Sequence, residues 1–251
     1  MKTSDPDNPA IATGGKNVYA ASLGILMLES RFPRIPGDVG NAATWDFPVH
    51  YKVVKGASPD LVVRQGARGL LEAFVSAGRE LIATGVDGIA TNCGFMALLQ
   101  GQMSQALSVP VAASSLMQVP MVQATLPPGK RVGIITISKD TLTDAHLNAA
   151  GVPLDTPVIG TDDGHEFTRA ILDDELYLDV AQSQRDIIQA GRALLAQYPD
   201  IGSVVLECTN MVPYAAVLQR ELQLPVYSIY SLLCWFQSGL TPRTYTNDYC
   251  R

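Results

Sequence analysis

Apolar positions along this chain fall into short continuous runs that alternate with stretches of helical spacing. Ala20 to Leu28 is almost uninterrupted, the pattern of a parallel strand covered on both faces. Val49 to Val54 predicts a second short strand. Leu70, Leu71, Phe74, Ala77 and Leu81 share one helical face. Further strands are expected at Val86–Ala90, Val109–Ala113, Arg131–Ser138 and near Val158. Helices are expected from Phe95 to Leu107, from Gln118 to Leu126 before Pro127-Pro128-Gly129, from Thr141 to Ala150, and from Ser231 to Ser238. Asp173-Asp174-Glu175 reads as the acidic first turn of a long helix reaching Tyr198, where three acids suit the helix dipole. Strand–helix alternation throughout predicts an α/β protein with parallel sheets and right-handed crossovers.

Two of these units repeat each other. Val86-Asp-Gly-Ile-Ala-Thr-Asn-Cys93-Gly-Phe-Met96 aligns without a gap to Ile201-Gly-Ser-Val-Val-Leu-Glu-Cys208-Thr-Asn-Met211. The same offset pairs Leu107 with Leu222, Pro110 with Pro225 and Val111 with Val226. Upstream, Gly24-Ile-Leu-Met-Leu-Glu-Ser30 and the strand ending Thr136-Ile-Ser138 share a glycine-apolar start and a hydroxyl residue near the end. The duplication divides the chain into a tail (1–17), a first α/β domain (18–116 plus 229–251) and a second (117–228).

Composition adds mainly exclusions. In 251 residues with 47% hydrophobic content there is material for a full core without disulfides. A net charge of −6 and no Lys/Arg-rich run argue against nucleic acid as a partner. No apolar run has the length of a membrane span, and the polar, proline-broken start lacks a secretory pattern, so a cytoplasmic protein is expected, with a homodimer as the default assembly. Four cysteines without a Cys-x-x-Cys pair, and His50, His146 and His165 at no ligand spacing, predict no metal site. No glycine-rich phosphate loop or serine-hydrolase elbow is present.

Free thiols then need a reason. Cys93 and Cys208 each end a buried strand and precede a helix, where ligands of open α/β sheets bind and where the dipole lowers a thiol's pKa. Two such thiols facing one carboxylate-bearing ligand make a two-base proton-transfer site. Asn92, Gly94, Phe95, Thr209 and Asn210 flank them, and Ser30, Thr136 and Ser138 end the matching strands. Backbone N–H groups there would stabilise an enediolate. Arg31 and Arg34 are candidates to clamp a second carboxylate. Cys234 is expected in the core and Cys250 at the surface.

Thr91-Asn92-Cys93 and Leu206-Glu207-Cys208-Thr209-Asn210 resemble the two cysteine motifs of the aspartate/glutamate racemase superfamily, from Val18 onward. The resemblance implies two pseudo-symmetric α/β domains with the site in the cleft between them, no cofactor, a small-molecule substrate, and Cys93 and Cys208 as opposed base and acid. It implies substrate contacts at Ser30, Asn92, Gly94, Phe95, Thr136, Ser138, Thr209 and Asn210. Gly94-Phe95 and Thr209-Asn210 depart from the Asn-Thr and Thr-His that follow the two cysteines of glutamate racemases, so amino-acid specificity is not carried over. The expected activity is a cofactor-independent racemase or epimerase of a small carboxylate, an isomerase of amino-acid metabolism. A decarboxylase or cis-trans isomerase of dicarboxylates on the same fold, and a non-catalytic binder, are the alternatives.

Overall fold

The computed structural model describes residues 14–243. Within them, two four-stranded sheets are built entirely from parallel pairs. The first comprises β1 (Leu23–Leu28), β2 (Val49–Val54), β3 (Gly88–Thr91) and β4 (Val111–Ala112), in the order β2-β1-β3-β4. The second comprises β5 (Arg131–Thr136), β6 (Val158–Gly160), β7 (Ile201–Leu206) and β8 (Val226–Tyr227), in the order β6-β5-β7-β8. The winding is the same, so the duplication read from the cysteine segments extends to strand order. Both cysteines follow the third strand of their sheet.

The helices are α1 (Pro59–Val63), α2 (Leu71–Thr84), α3 (Gln100–Ala106), α4 (Val119–Gln123), α5 (Asp144–Ala149), α6 (Phe167–Leu172), α7 (Val180–Gln197), α8 (Ala215–Leu222) and α9 (Ile229–Leu240). Gly24 in β1 and Gly133 in β5 let α2 and α7 lie close. A Cβ at Gly24 would stand 3.0 Å from Leu81, and one at Gly133 would stand 2.7 Å from Leu194. α9 packs Ile229, Leu232 and Leu233 with Leu23 and Ile25 of β1. Lys16, expected in a free tail, is held by the Gly85 carbonyl and Asp87, both at 2.7 Å. Residues 1–13 of that tail and Cys250 lie outside the described residues.

Several expected elements differ. The helix expected after Cys93 begins as a tight 3₁₀ segment, Gly94–Leu99, before α3, and Thr209–Tyr214 repeats this before α8. The long helix expected from Asp173 begins only at Val180, as α7, and the acids follow the end of a separate helix, α6. Asp174 takes a left-handed φ of 54°, which ends α6, and Asp179 caps α7 by accepting from the Gln182 N–H at 2.9 Å. The acids are used in tertiary contacts instead: Asp173 meets Arg64 at 3.2 Å, and Asp174 meets Arg31 at 3.1 Å. α1 was not anticipated, and Cys234 is half-buried on α9 and not in the core.

Candidate active site

Strand β3 delivers Asn92 and Cys93, and β7 delivers Glu207 and Cys208, to the carboxyl edges of the two sheets. Asn92 is anchored by its own sheet: its N–H donates to the Leu26 carbonyl at 3.0 Å, and its Oδ1 accepts from the Leu28 N–H at 2.7 Å. Glu207 is anchored likewise, donating its N–H to the Ile135 carbonyl at 2.8 Å. The halves are then joined at the thiols. Thr209 donates its hydroxyl to the Asn92 carbonyl, and the Ser115 hydroxyl is shared by the carbonyls of Leu206 (2.7 Å) and Glu207 (3.0 Å).

Cys93 and Cys208 line one cavity, with Asn92, Gly94, Glu207, Thr209 and Asn210 on its polar side. Phe32, Phe95, Ile137 and Leu172 are among its apolar walls, and among the described residues no lysine, arginine or histidine lines it. It is nearly closed, with about 20 Å³ of free space, room for one water. A substrate therefore enters only as the walls part.

Of the expected contacts, Asn92, Gly94, Phe95, Thr209 and Asn210 reach this cavity. Thr136 stands behind it, donating to Glu207 Oε2 at 2.8 Å. Ser30 and Ser138 do not line it: Ser30 accepts from Arg34 at 2.8 Å, and Ser138 is buried beyond Ile137. Arg31 is exposed on Asp174, and Arg34 is fixed to Asp38 at 2.8 Å.

Two acids were not singled out in the sequence. Asp38 is 3% exposed and accepts from Arg34, from the Gly40 N–H at 2.7 Å and from Asn210 Nδ2 at 2.6 Å. Glu207 is fully buried. Its Oε2 accepts from Thr136, while Oε1 has no hydrogen-bond partner among the described residues. A Cβ on residue 94 would overlap both Glu207 Oε1 and the Glu207 carbonyl, so glycine is required there.

The electrostatics reverse one expectation. The thiols are not brought toward neutrality by the turns that follow them. Burial, then the neighbouring Glu207, pushes Cys93 up to about 12, and the same causes raise Cys208. Opposing this at Cys93 are the N–H groups of Phe95 and Met96 and the charge of Arg34. At Cys208 the opposing donor is the Asn210 N–H. Burial also raises Glu207 to about 7.

The hydrogen-bond order separates the thiols. Asp38 is an acceptor, so Asn210 must present Nδ2 to it and Oδ1 to Cys208, 3.5 Å away. Cys208 therefore donates its S–H. Cys93, whose thiolate is favoured by two N–H groups and by the charge of Arg34, is the better placed to carry negative charge.

The model of the Asp/Glu/Hydantoin racemase family matches residues 77–236. A dimethylsulfoniopropionate lyase of Durusdinium sp. clade D is 28% identical over 94% of this chain and 81% of its own. Dimethylsulfoniopropionate lyase 5 of Emiliania huxleyi is 27% identical over 88% of this chain, which spans only 45% of that relative's length. Allantoin racemase from Klebsiella pneumoniae superposes with a TM-score of 0.62 at 17% identity, covering 91% of this chain and 98% of its own. A variant of arylmalonate decarboxylase gives 0.60, also at 17% identity, covering 91% and 97%. These two likenesses are of fold.

Proposed function

The chain belongs to the Asp/Glu/hydantoin racemase family, and from that footing we propose that it is a lyase: Cys93 removes the proton α to a carboxylate, and the carbanion expels a cationic group from the β-carbon. The observation that carries this reading is the cavity's lining. Two thiols of unequal role face one space whose polar side includes a carboxyl, whose walls are apolar and aromatic, and which no basic side chain among the described residues lines. A dicarboxylate would bring a second negative charge against Glu207 with no cation to receive it. A monocarboxylate with a positive β-substituent brings the opposite charge, which suits a carboxyl floor and aromatic walls.

Dimethylsulfoniopropionate, in the names of the Durusdinium and Emiliania relatives, has this form. Removal of its α-proton by the Cys93 thiolate sends the C–H electron pair into the Cα–Cβ bond. The Cβ–S bond breaks, releasing neutral dimethyl sulfide and acrylate and leaving the proton on Cys93. Arg34, held behind the cavity by Asp38 and Ser30, is the cation whose charge favours the Cys93 thiolate. Cys208 turns its S–H from Asn210 toward the enediolate.

A racemase is the second reading, favoured by the equivalent placement of the two thiols after β3 and β7. Without a β leaving group, the same carbanion would take a proton from Cys208 on its opposite face. Incubation with dimethylsulfoniopropionate and, separately, with single enantiomers of amino acids and hydantoins tests both. Dimethyl sulfide and acrylate in equal amounts support the lyase, inversion without release supports the racemase, and neither product from any of them contradicts the proposal.

A further inference from the structure

The thiols are difficult to ionise as they stand. Cys208 is buried and Cys93 half-buried, and each is adjacent to a carboxyl that, if charged, opposes a second negative charge. The same carboxyl has an unused oxygen. Glu207 Oε1 is fully buried, without a partner, and packed against the Cα of Gly94, the residue that follows Cys93. Through the backbone, Glu207 is also the residue before Cys208. One carboxyl thus touches the loop of each thiol, and the glycine at 94 leaves the space it occupies.

We propose that Glu207 is a third proton-carrying group of the site, taking the proton from Cys93 to make the thiolate. The step is Cys93–SH plus Glu207–COO⁻ giving Cys93–S⁻ plus Glu207–COOH. The S–H bond breaks, its electron pair stays on sulfur, and the proton forms an O–H bond at Oε1. No net charge is created, so the cleft holds one negative charge before and after, and the repulsion between thiolate and carboxylate never arises. Thr136 holds Oε2, and Oε1, without a partner among the described residues, is the oxygen that receives the proton. The charged and titratable groups around this exchange are Cys93, Cys208, Asp38 and Arg34. Asp38 and Arg34 neutralise each other behind the cavity, and Cys208 is held as a donor to Asn210.

This inference rests on Cys93 being the base, but it is tested on the thiol itself and needs no substrate. The rate at which iodoacetamide alkylates Cys93, read by peptide mass between pH 5 and 10, reports the thiolate. With an exchange partner titrating near 7, the rate rises through that pH, reaches a plateau, and rises again only as the thiol itself ionises. In Glu207→Gln the plateau disappears and the rate climbs through pH 8 until the thiol itself ionises. Glu207→Leu, which keeps the bulk and loses the O–H, separates exchange from a charged neighbour: with the proton on Oε1 bonded to the thiolate sulfur, wild type alkylates roughly tenfold faster than Glu207→Leu at pH 5.5. A carboxyl that is only a charged neighbour gives no advantage there, and Glu207→Leu matches or exceeds wild type. That result, or a wild-type profile with no plateau above neutrality, overturns the proposal even if the Glu207 variants prove unstable. If the profile holds but no dimethyl sulfide is formed, the substrate reading fails and the exchange stands.

Discussion

Thr209 donates its hydroxyl to the carbonyl of Asn92, so the residue after one thiol is bonded to the residue before the other. Both are buried. Thr209→Val keeps the shape and leaves the Asn92 carbonyl unsatisfied, at a cost of about 1–3 kcal/mol. Denaturant unfolding measures that loss. Because the bond sets the spacing of the two thiol loops, kcat is expected to fall while KM changes little.

Asp38 is the hub behind Cys208, receiving Arg34, Gly40 and Asn210. Asp38→Asn leaves the Arg34 charge unpaired and frees the Asn210 amide to turn, at about 3 kcal/mol for a broken, largely buried pair. Thermal unfolding should register the loss. Cys208 alkylation should quicken as its hydrogen bond to Asn210 is lost.

Gly94→Ala tests the packing between the two loops. Its Cβ has no space beside the Glu207 carboxyl, which must move off Thr136. Activity is expected to fall by roughly tenfold or more, since small displacements of reacting groups are costly. Adding Thr136→Val should then cost little, because the bond it removes is already broken.

Stability should follow two opposed titrations. His146, buried and edge-on to Phe95, is lowered by burial to about 4 from 6.5. Its neutral form is the folded one, so that stability is complete above 6.5 and is lost as pH falls through 4. Glu207 is raised by burial to about 7 from 4.5, so its contribution is complete below 4.5 and is lost as pH rises through 7. Each is worth about 3 kcal/mol. Denaturation midpoints from pH 4 to 8 should lose their acid decline in His146→Gln and their neutral decline in Glu207→Gln. Curves parallel to wild type would refute both assignments.

Much of this architecture is written in local pattern. The in-frame cysteine segments announce a duplicated strand–turn–helix unit, and both sheets carry it in the same position. Glu207 was visible as the one charge closing an otherwise apolar strand, opposite a glycine at 94, but its partner lies across the molecule and no spacing reveals it. Asp38 sits in a proline-rich loop without periodicity. The acids at 173–175 match a helix start by composition, yet Arg31 and Arg64, more than a hundred residues away, claim two of them. α1 carries a local signal of its own: Ser58 caps it and Pro59 is its first residue. The thiols' raised pKa values follow from burial and from Glu207, which are tertiary facts.

The division of labour between the thiols is the centre of the account, and dimethyl sulfide release by wild type, Cys93→Ser and Cys208→Ser measures it most directly. Cys93→Ser is expected to lose roughly 10²–10⁴-fold in kcat, the scale of a missing proton-transfer group. Cys208→Ser, whose hydroxyl still donates to the enediolate, should lose far less. Equal loss in both variants, or release by Cys93→Ser at the wild-type rate, would contradict it.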